Sequence, residues 1–216
     1  MCGRYALHAN PDVVALQFGL EGVPQFQPRY NVAPATEILV VRGGAAQLAR
    51  WGLVPAWAKD PSIGSRLINA RGETVAQKPS FRQAFRRGRC LVPASGYYEW
   101  QSVAGKKHPW YFRPRGEALF GLAGLAERWE GPAGALQTVC LITTAPNALA
   151  GKIHDRMPVI VAPQDYGEWL DAAAPDPAAL LRAYPAERME AFPVSRRVNA
   201  AREDGPQLIE RLDSPG

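Results

Sequence analysis

Short apolar runs separated by glycine, proline and charged breaks fill most of this chain, and stretches with helical spacing are few. Gly3 to His8 reads as a strand. Asn10-Pro11-Asp12 starts a helix whose apolar face is Val13, Leu16 and Phe18. Gly19 to Tyr30 is a loop, and Asn31 to Thr36 is extended because the residue before Pro34 avoids the helical region. Glu37 to Val41 and Gln47 to Trp51 predict a hairpin around Arg42-Gly43-Gly44. A loop rich in aromatics and prolines runs from Trp51 to Asp60, and a helix through Phe81 and Phe85 ends in Arg86-Arg87-Gly88-Arg89. Cys90 to Val92, Gly96 to Trp100, Trp110 to Phe112, Leu119 to Leu125 and Val139 to Thr143 are strands. Pro163 to Leu170 and Asp176-Pro177 carry helix-start character, and the tail from Phe192 is broken by polar and proline residues. No βαβ rhythm, linker or internal repeat interrupts this pattern. It predicts an α+β fold over residues 1–216: one domain on curved, mostly antiparallel, barrel-like sheet with a few flanking helices.

Composition narrows the class. With 216 residues and 47% hydrophobic content the chain is an ordinary globular protein, and no run approaches a membrane span. No apolar signal-peptide segment follows Met1, which predicts a cytoplasmic protein. Cys2, Cys90 and Cys140 form no CxxC, so neither a disulfide framework nor a metal site is predicted. The net charge is +5, compatible with an anionic partner, and 20 of the 25 basic residues are arginine, whose guanidinium suits bidentate phosphate contact. Arg82, Arg86, Arg87 and Arg89 read as a solvated basic face.

The chemistry gathers at a few positions. Loss of Met1 would leave Cys2 with an amine and a thiol on adjacent carbons, a pair that closes a thiazolidine ring on an aldehyde. Its amine titrates near ~8, so part of it is neutral at pH 7. Glu99, set in a strand between Tyr98 and Trp100, is read as desolvated and fit for proton transfer; an outward-facing glutamate is the plain alternative. His154 precedes Asp155 and Arg156 and is either a proton carrier or a structural hydrogen-bonder. In Asn69-Ala70-Arg71-Gly72-Glu73, Asn69 could hold an amine or sugar hydroxyl and Arg71 a phosphate, or Asn69 could cap a loop and Arg71 pair with Glu73. Trp51 and Trp57 could stack an exposed base or simply pack over the core.

Met1-Cys2-Gly3-Arg4, Tyr30-Asn31-Val32-Ala33-Pro34, Arg50 to Pro55, Ile68-Asn69-Ala70-Arg71, Gly96 to Trp100, Ile153 to Pro158 and Pro193-Val194-Ser195 resemble, in order, the SOS response-associated peptidase (SRAP) family. The resemblance implies covalent capture of abasic sites in single-stranded DNA by a thiazolidine on Cys2. It implies catalytic roles for Cys2, Asn69, Glu99 and His154, and DNA contacts through Arg4, Trp57, Asn69, Arg71, Thr143 and Arg156. It further implies no cofactor, no metal, no membrane, a monomer, and a cytoplasmic location at the nucleoid when DNA is bound. Met1 would leave autocatalytically or through an aminopeptidase. An N-terminal-nucleophile amidohydrolase, a Cys2–His154 thiol peptidase and a DNA-binding module without chemistry stand as alternatives.

Overall fold

A computed structural model describes residues 2–132, 134–174 and 177–214. Met1, whose removal the sequence predicts, and Asp176, read as a helix cap, lie outside the described residues. In chain order the elements are β1 (Tyr5–Leu7), α1 (Pro11–Phe18), β2 (Arg29–Val32), β3 (Glu37–Arg42), β4 (Ala45–Trp51), β5 (Asn69–Arg71), α2 (Arg82–Arg87), β6 (Arg89–Ala94), β7 (Gly96–Val103), β8 (Lys106–Pro114), β9 (Phe120–Gly131), β10 (Gly134–Thr144), β11 (Met157–Pro158), β12 (Ile160–Val161), α3 (Tyr166–Leu170) and β13 (Met189–Pro193).

Five of these strands close on themselves. β10 pairs with β4, β4 with β3, β3 with β6, β6 with β9, and β9 returns to β10. Closure leaves the barrel without an open edge, and β5, β11 and β12 extend its wall. A second, antiparallel sheet runs β13-β8-β7-β1-β2 and lies over the first. Cys2, Tyr5, Tyr97 and Phe112 from its side share one apolar cluster with Trp51, Val92, Leu122 and Leu141 of the barrel. The predicted curved, mostly antiparallel sheet is present. Two pairings depart from it, because β4 and β5 both meet β10 in parallel, along a long connection that local pattern does not show.

The helices are short and marginal. Asn10 caps α1 as its sequence predicts, its side chain accepting from the Val13 amide at 3.0 Å. The apolar face is a correction: Leu16 is 85% exposed and Val13 is also exposed, whereas Val14 is the buried residue. A helix of 8 residues offers too little surface to bury all its apolar side chains. Arg89 is a second correction. It opens β6 rather than joining a solvated face, and it is buried, donating to the carbonyls of Phe85, Trp169 and Asp171. Trp51 packs edge-on against Tyr5 with its indole N–H on the Ile68 carbonyl, so it belongs to the core and not to an exposed platform.

Candidate functional site

β1 carries Cys2 into the interior. Antiparallel pairing sets Tyr5 opposite Tyr97 on β7, and the Tyr98 amide donates to the Arg4 carbonyl at 3.0 Å. The chain's second residue is therefore fully buried, where a terminus is ordinarily frayed. Burial, and then the charge of Glu99, push the Cys2 thiol's pKa well up; its sulfur lies 3.9 Å from the Arg4 carbonyl.

β5 supplies the amide. Its parallel pairing with β10 sets Asn69 beside Leu141, and from there Asn69 Nδ2 donates to the Cys2 carbonyl at 2.8 Å. The other end of that amide, Oδ1, is buried without a hydrogen-bond partner among the described residues. Asn69 thus fixes the Cys2 backbone and leaves one acceptor free.

β7 supplies the acid. Glu99 is 2% exposed, and burial raises its pKa to about 7, against the lowering pull of the N-terminal charge. The burial expected from sequence is there, but its cause is different. Side chains alternate along a strand, so Tyr98 and Trp100 point away from Glu99 into a separate cluster. Tyr97 shares its face, and Trp110, opposite Glu99 on β8, packs against the same core.

His154 Nε2 lies 3.8 Å from Glu99 Oε2. Its Nδ1 accepts from the Arg156 backbone N–H at 3.0 Å, and in the neutral tautomer that makes this bond the proton sits on Nε2, toward Glu99. Asp155 Oδ1 also lies 3.0 Å from Nδ1 and raises the imidazole's pKa, but that side chain is 88% exposed. Desolvation outweighs it and lowers the His154 pKa, keeping the ring neutral at pH 7.

The arginines are already engaged. Arg156 grips Glu73 with both terminal nitrogens, at 2.6 and 2.8 Å, and donates to the Thr143 carbonyl at 2.7 Å. Glu73 therefore answers Arg156, not Arg71 as local spacing had allowed, and that contact holds its pKa below the carboxylate range. Thr143 is buried, its hydroxyl on the Ala70 carbonyl at 3.4 Å, and Arg71 lies beside it in register and exposed. Arg4 donates to Asn31 Oδ1 at 2.7 Å and the Val198 carbonyl at 2.8 Å. Trp57 is 60% exposed and borders a cavity of about 550 Å³ with Pro55, Pro79, Arg82 and Glu127, away from Cys2.

A family model described as SOS response associated peptidase (SRAP) matches residues 1–201. The chain belongs to this family. Among SRAP relatives, the abasic site processing protein YoqW of Bacillus subtilis is 43% identical, over 97% of this chain and 99% of its own. The abasic site processing protein HMCES of Gallus gallus is 34% identical, over 88% of this chain and 68% of its own. A crystal structure of a protein from Bacteroides thetaiotaomicron superposes with a TM-score of 0.89 at 26% identity, covering 98% of this chain and all of that one.

Within this SRAP chain the structure brings Cys2, Asn69, Glu99 and His154 together from four separate segments. Arg156 and Thr143 touch each other, the Arg4 side chain turns to Asn31 and Val198, and Trp57 borders a cavity that Cys2 does not line. Sequence reasoning missed two neighbours. The Arg71–Glu73 pair that local spacing allowed is not what forms, since Glu73 is held by Arg156, 83 residues away. From sequence Tyr97 reads only as part of its strand, although alternation places it on the same face of β7 as Glu99. Among the described residues no group of three or more His, Cys, Asp or Glu could hold a metal ion, and no helix is long and apolar enough to cross a membrane.

Proposed function

We propose that this protein captures abasic sites in single-stranded DNA by closing a thiazolidine ring between Cys2 and the lesion's aldehyde. The observation that carries this reading is a buried cysteine at position 2 faced by a carboxyl group with a pKa of about 7. The printed names of the relatives, abasic site processing proteins, support the substrate class.

The reaction divides among these residues. An abasic deoxyribose is mostly a closed hemiacetal. Protonated Glu99 gives its proton to the ring oxygen as the C1′–O4′ bond breaks, and the C1′ hydroxyl releases its proton to solvent as the aldehyde forms. The neutral amine of Cys2, freed of Met1, adds to C1′ and loses water to give an imine. The Cys2 sulfur then adds to that carbon, the C=N electron pair passes to nitrogen, and the five-membered ring closes. Asn69 holds the Cys2 carbonyl, so amine and sulfur stay oriented. His154 takes and returns protons on the sugar side through Nε2, the nitrogen that faces Glu99. Arg71 and Arg156 carry the phosphate contacts, with Trp57 stacking a base further along the strand.

A raised thiol pKa fits this order of events. The amine attacks first, and the sulfur follows within one molecule, where effective concentration replaces intrinsic nucleophilicity. A thiol peptidase uses the opposite arrangement, with the sulfur's pKa depressed by an imidazolium. The deciding experiment incubates Met1-free protein with an abasic single strand and weighs the product. The expected product resists denaturant and weighs one water less than the sum of its parts; its absence, with acyl transfer to Cys2 from amide substrates instead, would replace this reading with an amidohydrolase.

A further inference from the structure

Tyr97 is a buried titratable group that this scheme does not use. Its hydroxyl is shielded from solvent and has no hydrogen-bond partner among the described residues. An orphaned buried hydroxyl is costly, and a core phenylalanine at the same position would avoid the cost. The ring cannot easily turn elsewhere, being stacked on Phe112 at 5.0 Å with planes 10° apart. The resting Cys2 sulfur lies toward the Arg4 carbonyl, so the hydroxyl meets that sulfur only when the sulfur turns from the carbonyl. Strand alternation puts it on the same face of β7 as Glu99, and it shares the apolar cluster that encloses Cys2.

We propose that the Tyr97 hydroxyl is a further catalytic group, donating a hydrogen bond to the Cys2 sulfur while that sulfur carries negative charge. The proposal rests on the reading of Cys2 as the thiazolidine nucleophile. Ring closure starts from a protonated imine and a thiol. The thiol proton passes to the Glu99 carboxylate, the sulfur lone pair forms the S–C1′ bond, and the C=N pair moves to nitrogen, which keeps its proton. Tyr97 neither gains nor loses a proton. It stabilises the anion between proton loss and bond formation, in surroundings that supply little water to do so. Burial first, and then the charges of Cys2 and Glu99, raise the phenol's pKa, so the hydroxyl stays a donor throughout. Other titratable groups around the sulfur are Tyr5 on β1, Glu99 and the N-terminal amine, whose charge pulls the thiol's pKa down. That amine, His154, Asp155 and Lys107 act on Glu99 in turn.

The test compares wild type with Tyr97→Phe as Met1-free, full-length protein. Two rates are read: alkylation of Cys2 by iodoacetamide at pH 8, resolved by peptide mass, and adduct formation on an abasic single strand. A hydrogen bond to a charged group holds the thiolate fraction up by about 10- to 100-fold. Part of that loss returns as greater nucleophilicity of a more basic sulfur, leaving both rates about 3- to 10-fold slower in Tyr97→Phe. The thermal midpoint stays level or rises, because the hydroxyl gives up no partner. Wild-type rates in the variant overturn the proposal, and so does slowing that comes only with a lowered midpoint, which would make Tyr97 a packing residue. Failure of wild-type protein to form any adduct refutes the functional reading instead, and the alkylation arm still decides Tyr97.

Discussion

Replacing Glu99 by glutamine separates two consequences of one buried carboxyl. A glutamate ordinarily titrates near 4.5, and here burial raises it to about 7. At pH 7 about half of the Glu99 population is therefore protonated, against roughly 0.3% for an unperturbed side chain, so the acid available for opening the sugar is greater by about two orders of magnitude. Glu99→Gln removes that acid and should slow adduct formation by about 10²-fold. The same raised pKa works against the fold. The native state holds the proton more tightly than the unfolded chain, so stability is highest below pH ~4.5 and falls as pH rises toward 7. Above pH 7 the cost reaches about 3 kcal/mol, which glutamine, having no charge to bury, avoids. Denaturant titrations of both proteins at pH 5 and pH 8, beside adduct kinetics on a gel, read the two effects. The variant should be slow at both pH values, and more stable than wild type chiefly at pH 8. Equal stability differences at the two pH values would refute a buried, proton-holding Glu99. A variant that cross-links at the wild-type rate would refute its role as the acid.

Adduct formation by wild type should follow a bell in pH, peaking near 7.5, since the acid form of Glu99 fades above about 7 and the Cys2 amine is protonated below ~8; a rate rising steadily to pH 9 would remove Glu99 from the scheme. Cys2→Ala should abolish the denaturant-resistant adduct on a gel, while Cys90→Ala and Cys140→Ala, which alter buried strand positions, retain it. Glu73→Gln should tighten non-covalent binding to a single strand and steepen its salt dependence by ~0.7, because Arg156 keeps the Thr143 carbonyl but loses a competing carboxylate; weaker binding by fluorescence anisotropy would make Glu73 a necessary support. His154→Ala should slow adduct formation less than Glu99→Gln on natural abasic DNA, and the reverse order in the same gel assay would exchange the two roles.

Local pattern carried most of the strands. The β3–β4 hairpin, the fully buried β6 and the Asn10 cap follow from residues within a few positions of one another. What failed depended on distant partners. Val13 and Leu16 have helical spacing but no neighbouring element to cover them, and Arg89 sits in a basic run yet finds three carbonyls, two of them beyond residue 168. β13 does not read as a strand, and its last two residues fall in the tail from Phe192, because its partner β8 lies far upstream. Of the candidate site, Cys2, Asn69, Glu99 and His154 are legible as residue types in context. Their convergence is not, since it depends on β5 running parallel to β10 and on β1 joining β7. Glu99 was placed in a desolvated setting for the wrong neighbours: the adjacent aromatics face the other way, and Tyr97 with Trp110 encloses it.

The pairing of β1 with β7 also sets an order in time. Ribosomes extend a chain by about 5–20 residues each second, so the partner strand of Tyr5, about 90 residues downstream, emerges roughly 5–20 s after the N-terminus. The Asn69 amide that holds the Cys2 carbonyl comes 67 residues later in the chain. During that interval the first residues have nothing to pack against and are open to any peptidase working on nascent chains. Once β7 docks, Cys2 is buried. Any processing that needs Cys2 outside the core therefore has the interval of synthesis in which to act.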